Sequence, residues 1–590
     1  MSNHQKTAKR RRAVPKTHRL LRGSKQPALL NAKRVGRANP KARIKLLLTV
    51  RRKPGHPTMP TQEYWVKTPL AKRVYLSREE FARLYGADAK DIETVKNFAK
   101  AQGFKIEKID VPGRTVRLSG AIGQIEKVFR VRMHMYKADT QKYRSHEGFV
   151  YLPIALAGVV TGVFGFDNRQ LMRRQVQMIP VDKWVSIFPR LILPLTPPQV
   201  ARMYNFPQGG AEGQTIGLVE FGLQGYSQSD IDSFFQEVQL PAPTIVNVPA
   251  DGDTVLEGGE CVLDIDVAGS AAPGATIAIY FSGGASDDPA LIQLYRNAVH
   301  DAVNNPSVIS ISYAGAESSY SASTLAAIHE TFEEAALLGV TILAASGDNG
   351  ACDNGSLNAY FAHVPLVQYP ASDPYVTGCG GTSITRNLQR KAEGVFYENT
   401  WNDKRWDLNT WIEGGFGPSF QGTFVGGATG GGLSSSFEQP PWQRGIGVGP
   451  AGSLGVRLPK YGRGVPDISG NASMTSGYQL IYYGAPNLIY GTSAVAPLYA
   501  GLVALLNARL PKNVGYLNPI LYGFKARRVC RDIADGISNA VPYCLNHNLV
   551  SGVQPDLGLS KGYKSGPQWD PCTGLGVVNG GALLETIQTL

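Results

Sequence analysis

Two stretches of the chain are apolar at nearly every position, and each adjoins a polar turn. Ala494 to Asn507 is rich in Ala, Leu and Val and reads as a buried helix that begins directly after Tyr490-Gly-Thr-Ser493. Val340 to Ala345 reads as a buried strand that runs into the glycine-flanked turn Ser346-Gly-Asp348-Asn-Gly350. A third segment, Gly259 to Ala268, places Glu260 and Asp264 among Val262, Leu263, Ile265, Val267 and Ala268, and a buried strand pattern follows at Thr276 to Tyr280. Patterning nearer the start is shorter. Ser77-Arg-Glu-Glu80 is a capping box that opens a helix through Tyr85. A second helix is expected from Ala89 to Gln102, ended by Gly103 as its C-cap, and then a strand over Arg114 to Leu118. Ile122, Ile125 and Phe129 mark a third helix before alternation resumes at Val131 to Tyr136.

The polar residues at these junctions carry candidate chemistry. At a helix N-terminus, the Ser493 hydroxyl would lie near free backbone N–H groups that favour developing negative charge. An ordinary N-cap serine fits the same position. On a helix, Glu260 and Asp264 project from one face about one turn apart. Such a pair is commonly a solvated acidic face; in these apolar surroundings the two carboxyls would instead titrate together at raised values and could serve serine as a base. Asp348 either closes an Asx turn or, kept protonated, donates a hydrogen bond to an oxyanion.

Taken with Leu195-Thr-Pro-Pro-Gln-Val-Ala-Arg-Met-Tyr204, Gly430-Gly-Gly-Leu-Ser434, Gly464-Val-Pro-Asp-Ile468, Arg531-Asp-Ile533 and Trp569-Asp-Pro-Cys-Thr-Gly-Leu-Gly576, these segments closely resemble the sedolisins, the serine-carboxyl peptidases that include the kumamolisins. The resemblance extends over most of the chain. It implies an α/β fold: a subtilisin-like catalytic domain with a mainly parallel sheet, preceded by an α/β ferredoxin-like propeptide domain. It also implies Ser493 as nucleophile, Glu260 as general base, Asp264 as its partner and Asp348 in the oxyanion hole. The implied enzyme is an acid-active endopeptidase made as a self-processing zymogen. A carboxylate base works in acid, where an imidazole would be protonated. Of the nine histidines, His300, His329 and His363 sit in helical or loop patterns with no catalytic context. Tyr313 stands where the family often has Trp, so the hydrogen bonding around the base is expected to differ in detail.

The resemblance further implies one structural calcium ion. Its ligands would be Asp532, the carbonyls of Ile533, Gly566 and Gln568, and Asp570, a set of hard oxygen donors. Gln568 replaces the usual glycine, and the backbone angle there is the open question.

Charge divides the chain. Residues 1–190 carry 41 Lys and Arg against 13 Asp and Glu, whereas residues 191–590 carry 19 against 33. A basic propeptide would attract an acidic enzyme near neutrality and loosen as acid protonates its carboxylates. The matching segment Tyr75-Leu-Ser-Arg-Glu-Glu-Phe81 belongs in the family to an activation domain that blocks the cleft. The expected organisation is a basic, disordered tail at 1–45, the propeptide domain at 46–167, a linker with the processing site at 168–193, and the peptidase domain with its calcium loop at 194–590. Arg169, Arg173, Arg174 and Lys183 lie in that linker.

Expected partners are protein or peptide substrates and the chain's own propeptide as intramolecular inhibitor, acting on a monomer. No nucleic-acid partner is expected, since neither interleaved aromatics nor a binding fold accompanies the basic tail. A peptide-binding relative without activity and a basic surface-adhesive protein are the competing classes. No segment reaches the roughly 18 apolar residues of a membrane span, and the N-terminus lacks the apolar core of a signal peptide; Leu46 to Val50 is too short. Extracellular action is nonetheless expected, by a route the residues do not show. The six cysteines lack metal spacing, with Cys530 and Cys544 at most a disulfide. Gly426 to Gly432 lacks the lysine of a phosphate loop and is expected to form a substrate-facing wall.

Overall fold

A computed structural model describes the chain except for residues 1–16, 30–31, 139–140, 181–193, 223, 250–255, 354–364, 387–395, 404–426, 447–461, 524–527, 541, 545–556 and 560–561. It divides into two compact units.

The smaller unit comprises residues 1–57, 82–169 and 321–327. Its centre is a four-stranded antiparallel sheet in the order Lys105–Asp110, Thr115–Ala121, Arg43–Val50, Val160–Phe164. With helices Ala89–Ala101 and Ile122–Phe129 between the strands, the chain order is β-α-β-β-α-β, the ferredoxin-like arrangement. Strand residues Leu46, Leu48 and Val163 meet helix residues Val95, Ile125 and Phe129 in one buried core. The expected stop at Gly103 is present, with its φ at +71°. The expected capping box, whose residues belong to the larger unit, is also formed: Ser77 N–H donates to Glu80 at 3.0 Å and Glu80 N–H to Ser77 Oγ at 3.1 Å.

The expected disordered tail requires correction from Thr17 onward. His18–Leu20 pairs with Tyr151–Pro153, and Lys33–Arg37 pairs with Met133–Lys137. Leu21 and Ala38 are buried in the core, while all five residues of Lys33–Arg37 are exposed. The basic side chains stay in water as the backbone pairs, so the high charge costs this segment little.

The larger unit comprises residues 58–81, 170–320 and 328–590. Compactness therefore does not follow the expected boundaries, because residues 58–81 and the start of the linker fold with the peptidase part. Arg73, 2% exposed, donates to the carbonyls of Tyr516 at 2.8 Å and Val514 at 3.4 Å. Arg78 donates to those of Val299 and Pro306, each at 2.9 Å.

Ten strands form the main sheet of this unit. We label β1 Thr215–Glu220, β2 Thr244–Val248, β3 Thr276–Phe281, β4 Val308–Ile311, β5 Thr341–Ala345, β6 Thr377–Arg386, β7 Phe396–Thr400, β8 Ile468–Asn471, β9 Cys530–Arg531 and β10 Val577–Val578. Their order is β2-β3-β1-β4-β5-β6-β8-β10-β9, with β7 also on β6; only the β7 and β9 pairings are antiparallel. Buried crossovers explain the near-continuous apolar runs of these strands. Helices α1 (Gly259–Ala271) and α2 (Val495–Asn507) are buried along their whole length. They approach closely where Gly501 lacks a side chain: a Cβ there would lie 2.6 Å from that of Ala271.

Candidate active site

Three adjacent parallel strands, β1, β4 and β5, end at one place and deliver Glu220, Ser312 and Asp348. The carboxyl ends of parallel strands are the usual ligand face of an α/β sheet. The N-terminal turns of α1 add Glu260 and Asp264, and the turn before α2 adds Ser493. All six residues are at most 3% exposed.

Their hydrogen bonds fix the arrangement. Ser312 Oγ lies 2.7 and 2.8 Å from the two Asp264 oxygens and 3.2 Å from the Ser493 carbonyl oxygen. Ser493 Oγ donates to the Ser312 carbonyl at 3.0 Å. Thr492 donates to Asp348 Oδ1 through its N–H at 2.8 Å and its hydroxyl at 2.7 Å. The glycine-rich segment braces this turn, since Ala428 N–H donates to the Asp348 carbonyl and Gly430 N–H to that of Gly347, both at 2.8 Å. Gly426 lies outside the described residues.

Glu220 was not anticipated. Tyr313 donates to Glu220 Oε2 at 3.1 Å, so the residue that departs from the resemblance fastens a third carboxyl to the cluster. Burial pushes the Glu220 carboxyl well above the usual range, and Asp264 and Glu260 push it further. Glu260 is raised well above the usual range by burial and by Asp264; the Ser493 hydroxyl and the Arg174 charge pull in the opposite direction. Burial also raises Asp264, against the hydrogen bond from Ser312. Three neighbouring buried carboxyls do not ionise together, so the cluster holds protons and shares its first negative charge. A lone carboxylate in that cluster can accept a proton from Ser493, while the protonated carboxyls stabilise it.

His300 and His329 are engaged elsewhere. His300 Nε2 lies 2.8 Å from Glu334, and His329 Nδ1 lies 3.0 Å from Asp373. Among the described residues no hydrogen bond joins a histidine to Ser493 or Glu260; His363 is outside them. Cys530 is a free thiol.

The start of the linker runs through this site. Arg173–Arg174 pairs antiparallel with Tyr313 and Ala314, and Gln177–Pro180 pairs antiparallel with Asn487–Tyr490. Between them, Gln175 accepts from the Ser493 N–H at 3.1 Å and donates its own N–H to the Ser312 carbonyl at 3.3 Å.

Hydrogen bonds link the residues expected to hold calcium in two groups. Gln568 N–H donates to Asp532 at 2.7 Å, Gly566 N–H to Asp570 at 3.4 Å, and Thr573 Oγ1 bridges Asp570 at 2.9 Å and the Ile533 carbonyl at 3.5 Å. Gln568 has φ +69°, the left-handed region, which accounts for glycine as the usual residue there. Among the described residues no group of three or more His, Cys, Asp or Glu is placed to hold a metal ion.

Fold and site together define a serine-type peptidase with an N-terminal pro-domain. Residues 30–169 match the family model described as the pro-kumamolisin activation domain. The chain is 35% identical to kumamolisin of Bacillus sp. (strain MN-32), over 92% of each chain. It is 29% identical to tripeptidyl-peptidase sed5 of Aspergillus fumigatus, over 97% of each. Its fold is similar to that of Pseudomonas sedolisin, a serine-carboxyl proteinase solved with two molecules of pseudo-iodotyrostatin (TM-score 0.53, 25% identity, 68% of this chain and 99% of that one). The chain belongs to the sedolisin family of serine-type peptidases and is a kumamolisin-like pro-enzyme. Among the described residues no helix is long and apolar enough to cross a membrane.

Proposed function

We propose that the chain is an acid-active serine-carboxyl endopeptidase that processes itself from a zymogen. The observation that carries this reading is the buried carboxyl cluster that faces Ser493 where a histidine would otherwise stand. Ser493 Oγ attacks the peptide carbonyl and Glu260 takes its proton, with Asp264 as the partner that holds the cluster's charge. The Ser493 N–H and a protonated Asp348 stabilise the oxyanion. The acyl-enzyme is then hydrolysed by water that Glu260 activates. The base works as a lone carboxylate steadied by protonated neighbours, a state that is lost when a second cluster carboxyl ionises as pH rises.

Endopeptidase action is favoured by the length of chain that the cleft accommodates. Upstream of Gln175, Leu171 N–H donates to the Ser286 carbonyl at 3.0 Å and Tyr320 donates to Met172 Sδ at 3.0 Å. The chain thus continues beyond three residues on that side, where an enzyme that releases tripeptides would need a stop. Protein or peptide substrates, the propeptide as intramolecular inhibitor, a monomeric state and action outside the cell complete the reading. The deciding experiment is the pH dependence of kcat/KM on an internally quenched peptide blocked at its N-terminus. The reading expects a maximum in acid with activity falling toward neutral pH, because a carboxylate base works where an imidazole would be protonated. A maximum at neutral pH would overturn the acid-active reading, and cleavage confined to free N-termini would exclude endopeptidase action.

Replacing Asp348 by Ala is expected to lower kcat by about 10²- to 10³-fold with a smaller change in KM, the usual loss for one oxyanion donor. Asp348→Asn keeps an N–H donor, so it should retain more activity than Asp348→Ala at each pH. Stopped-time assays of the three proteins across pH would check both.

The calcium loop is proposed as structural. Asp532, Asp570 and the carbonyls of Ile533, Gly566 and Gln568 would hold the ion, which would supply positive charge to a corner that otherwise brings two carboxylates together. Calcium at a hundred times its Kd is expected to stabilise the fold by about 2.7 kcal/mol. Chelation should accordingly lower the Tm, and Asp532→Ala should remove the response. A Tm indifferent to both calcium and chelator would rule the ion out.

A further inference from the structure

We infer that the bond this chain cuts in itself is Gln175–Val176, and that Asp353 selects substrates with a basic side chain two residues before the residue whose carbonyl is attacked. The inference rests on the serine-peptidase reading of the site and adds the position and the selectivity to it.

The linker segment has the geometry of a bound substrate. Its two halves are held as antiparallel strands on opposite sides of one residue, Gln175. The carbonyl of that residue takes the hydrogen bond from the backbone N–H of Ser493, the donor expected to hold the oxyanion. A Cβ on Gly491 would collide with both the Gln175 carbonyl oxygen and Asp348 Oδ2, which brings this carbonyl and the second expected donor to the same bare Cα. Gly491 has φ +130°, so the position suits glycine on backbone grounds as well. No other carbonyl of the linker's described residues accepts from Ser493. Backbone pairing fixes register by hydrogen bonding alone, so side chains flanking Gln175 are left to confer selectivity.

Arg173 supplies it. Its guanidinium lies 3.2 Å from Asp353 Oδ1, and the carboxylate is 1% exposed while the arginine side chain is 43% exposed. Asn349 Nδ2 donates to the other Asp353 oxygen at 3.2 Å and aims the carboxylate. A buried, oriented carboxylate facing a half-exposed cation has the form of a recognition pocket. On the far side of the bond, Met178 Cε packs against Gly259 at the start of α1, in space a Cβ would fill.

In the cut, Ser493 Oγ bonds to the Gln175 carbonyl carbon and its proton passes to Glu260. The C–N bond to Val176 breaks, and that proton goes to the Val176 amine as it leaves. Water then hydrolyses the ester, which yields the Gln175 carboxylate and restores the Ser493 hydroxyl.

The test uses the full chain, acidified and followed by intact mass and N-terminal sequencing. The earliest new N-terminus is expected to be Val176-Gln177-Met178, formed at a rate unchanged by tenfold dilution. A first cut elsewhere, by protein that cleaves an added peptide, would overturn the assignment and leave the peptidase reading intact. Absence of any cut, in the chain or in added peptide, would overturn both. Selectivity is read with the synthetic peptide Met-Arg-Arg-Gln-Val-Gln-Met-Ile and its analogue with Ala at the first Arg. The pre-processed enzyme is expected to prefer the former by about tenfold in kcat/KM, a modest charge-pair effect at a half-exposed site. Asp353→Asn should reduce that ratio to near one while still cutting both peptides at Gln–Val. An equal ratio in the two enzymes would remove Asp353 from the selection.

Discussion

Ser493→Ala is expected to abolish both self-processing and cleavage of added peptide, with kcat lowered by about 10⁵- to 10⁶-fold, the scale seen when a serine peptidase loses its nucleophile. The side chain does little for the fold. It is buried and donates a hydrogen bond to the Ser312 carbonyl at 3.0 Å, and the backbone N–H that holds Gln175 is untouched by the substitution. The variant should therefore remain folded, with its linker in the cleft, and should accumulate at full length at every pH. Intact mass over time in acid measures processing, and circular dichroism checks the fold. Appearance of the same fragments from the variant would assign the cut to another protease or to another nucleophile in this chain. The variant also makes stability measurable, because no autolysis competes with unfolding.

The residues that carry the chemistry were legible where local pattern and chemistry coincide. Glu260 and Asp264 stood out because two carboxylates inside an apolar helix contradict the ordinary rule of burial. Ser493 and Asp348 stood out because each lies in a polar turn that adjoins a long apolar run. Glu220 did not, since a glutamate at the end of a strand is unremarkable until the sheet order places β1 beside β4 and Tyr313. Ser312 was hidden likewise: its contact with Asp264 spans 48 residues. In the leading half, Ala89–Ala101 and Ile122–Phe129 followed from spacing and caps, whereas His18–Leu20 and Lys33–Arg37 were lost beneath their charge. Strand pairing there depends on partners more than 90 residues away, which no local count contains. Left-handed Gln568 shows the converse case, since the departure from glycine was visible and only the backbone angle remained to be seen.

Glu260→Gln is expected to lower kcat/KM by about 10³- to 10⁴-fold and, at neutral pH, to make the folded protein more stable. The first effect follows from loss of the base, since an amide cannot take the serine proton. The second follows from linkage. Burial, and then the Asp264 charge, hold the Glu260 pKa above its unfolded value, so the native state binds more protons than the unfolded state between those two values. The contribution of Glu260 to stability is thus fully present below about pH 4, near the unfolded carboxyl value. It is lost as pH rises toward and through the folded value. Glutamine carries no such proton, so its stability should be flat where that of the parent declines. Comparing Ser493→Ala with the Ser493→Ala, Glu260→Gln double variant by thermal unfolding from pH 3 to pH 8 isolates this effect. The two Tm curves should lie nearest at the acid end and separate as pH rises, with the double variant higher. A gap that is constant across pH would mean that the native Glu260 binds no extra proton. A gap that widens toward acid would mean that its pKa is held down, which would describe a paired carboxylate in place of a shared-proton cluster. Glu220→Gln, which keeps Glu260 and Asp264, should raise the stability curve in the same sense while sparing more activity, because it removes repulsion from the cluster without removing the base.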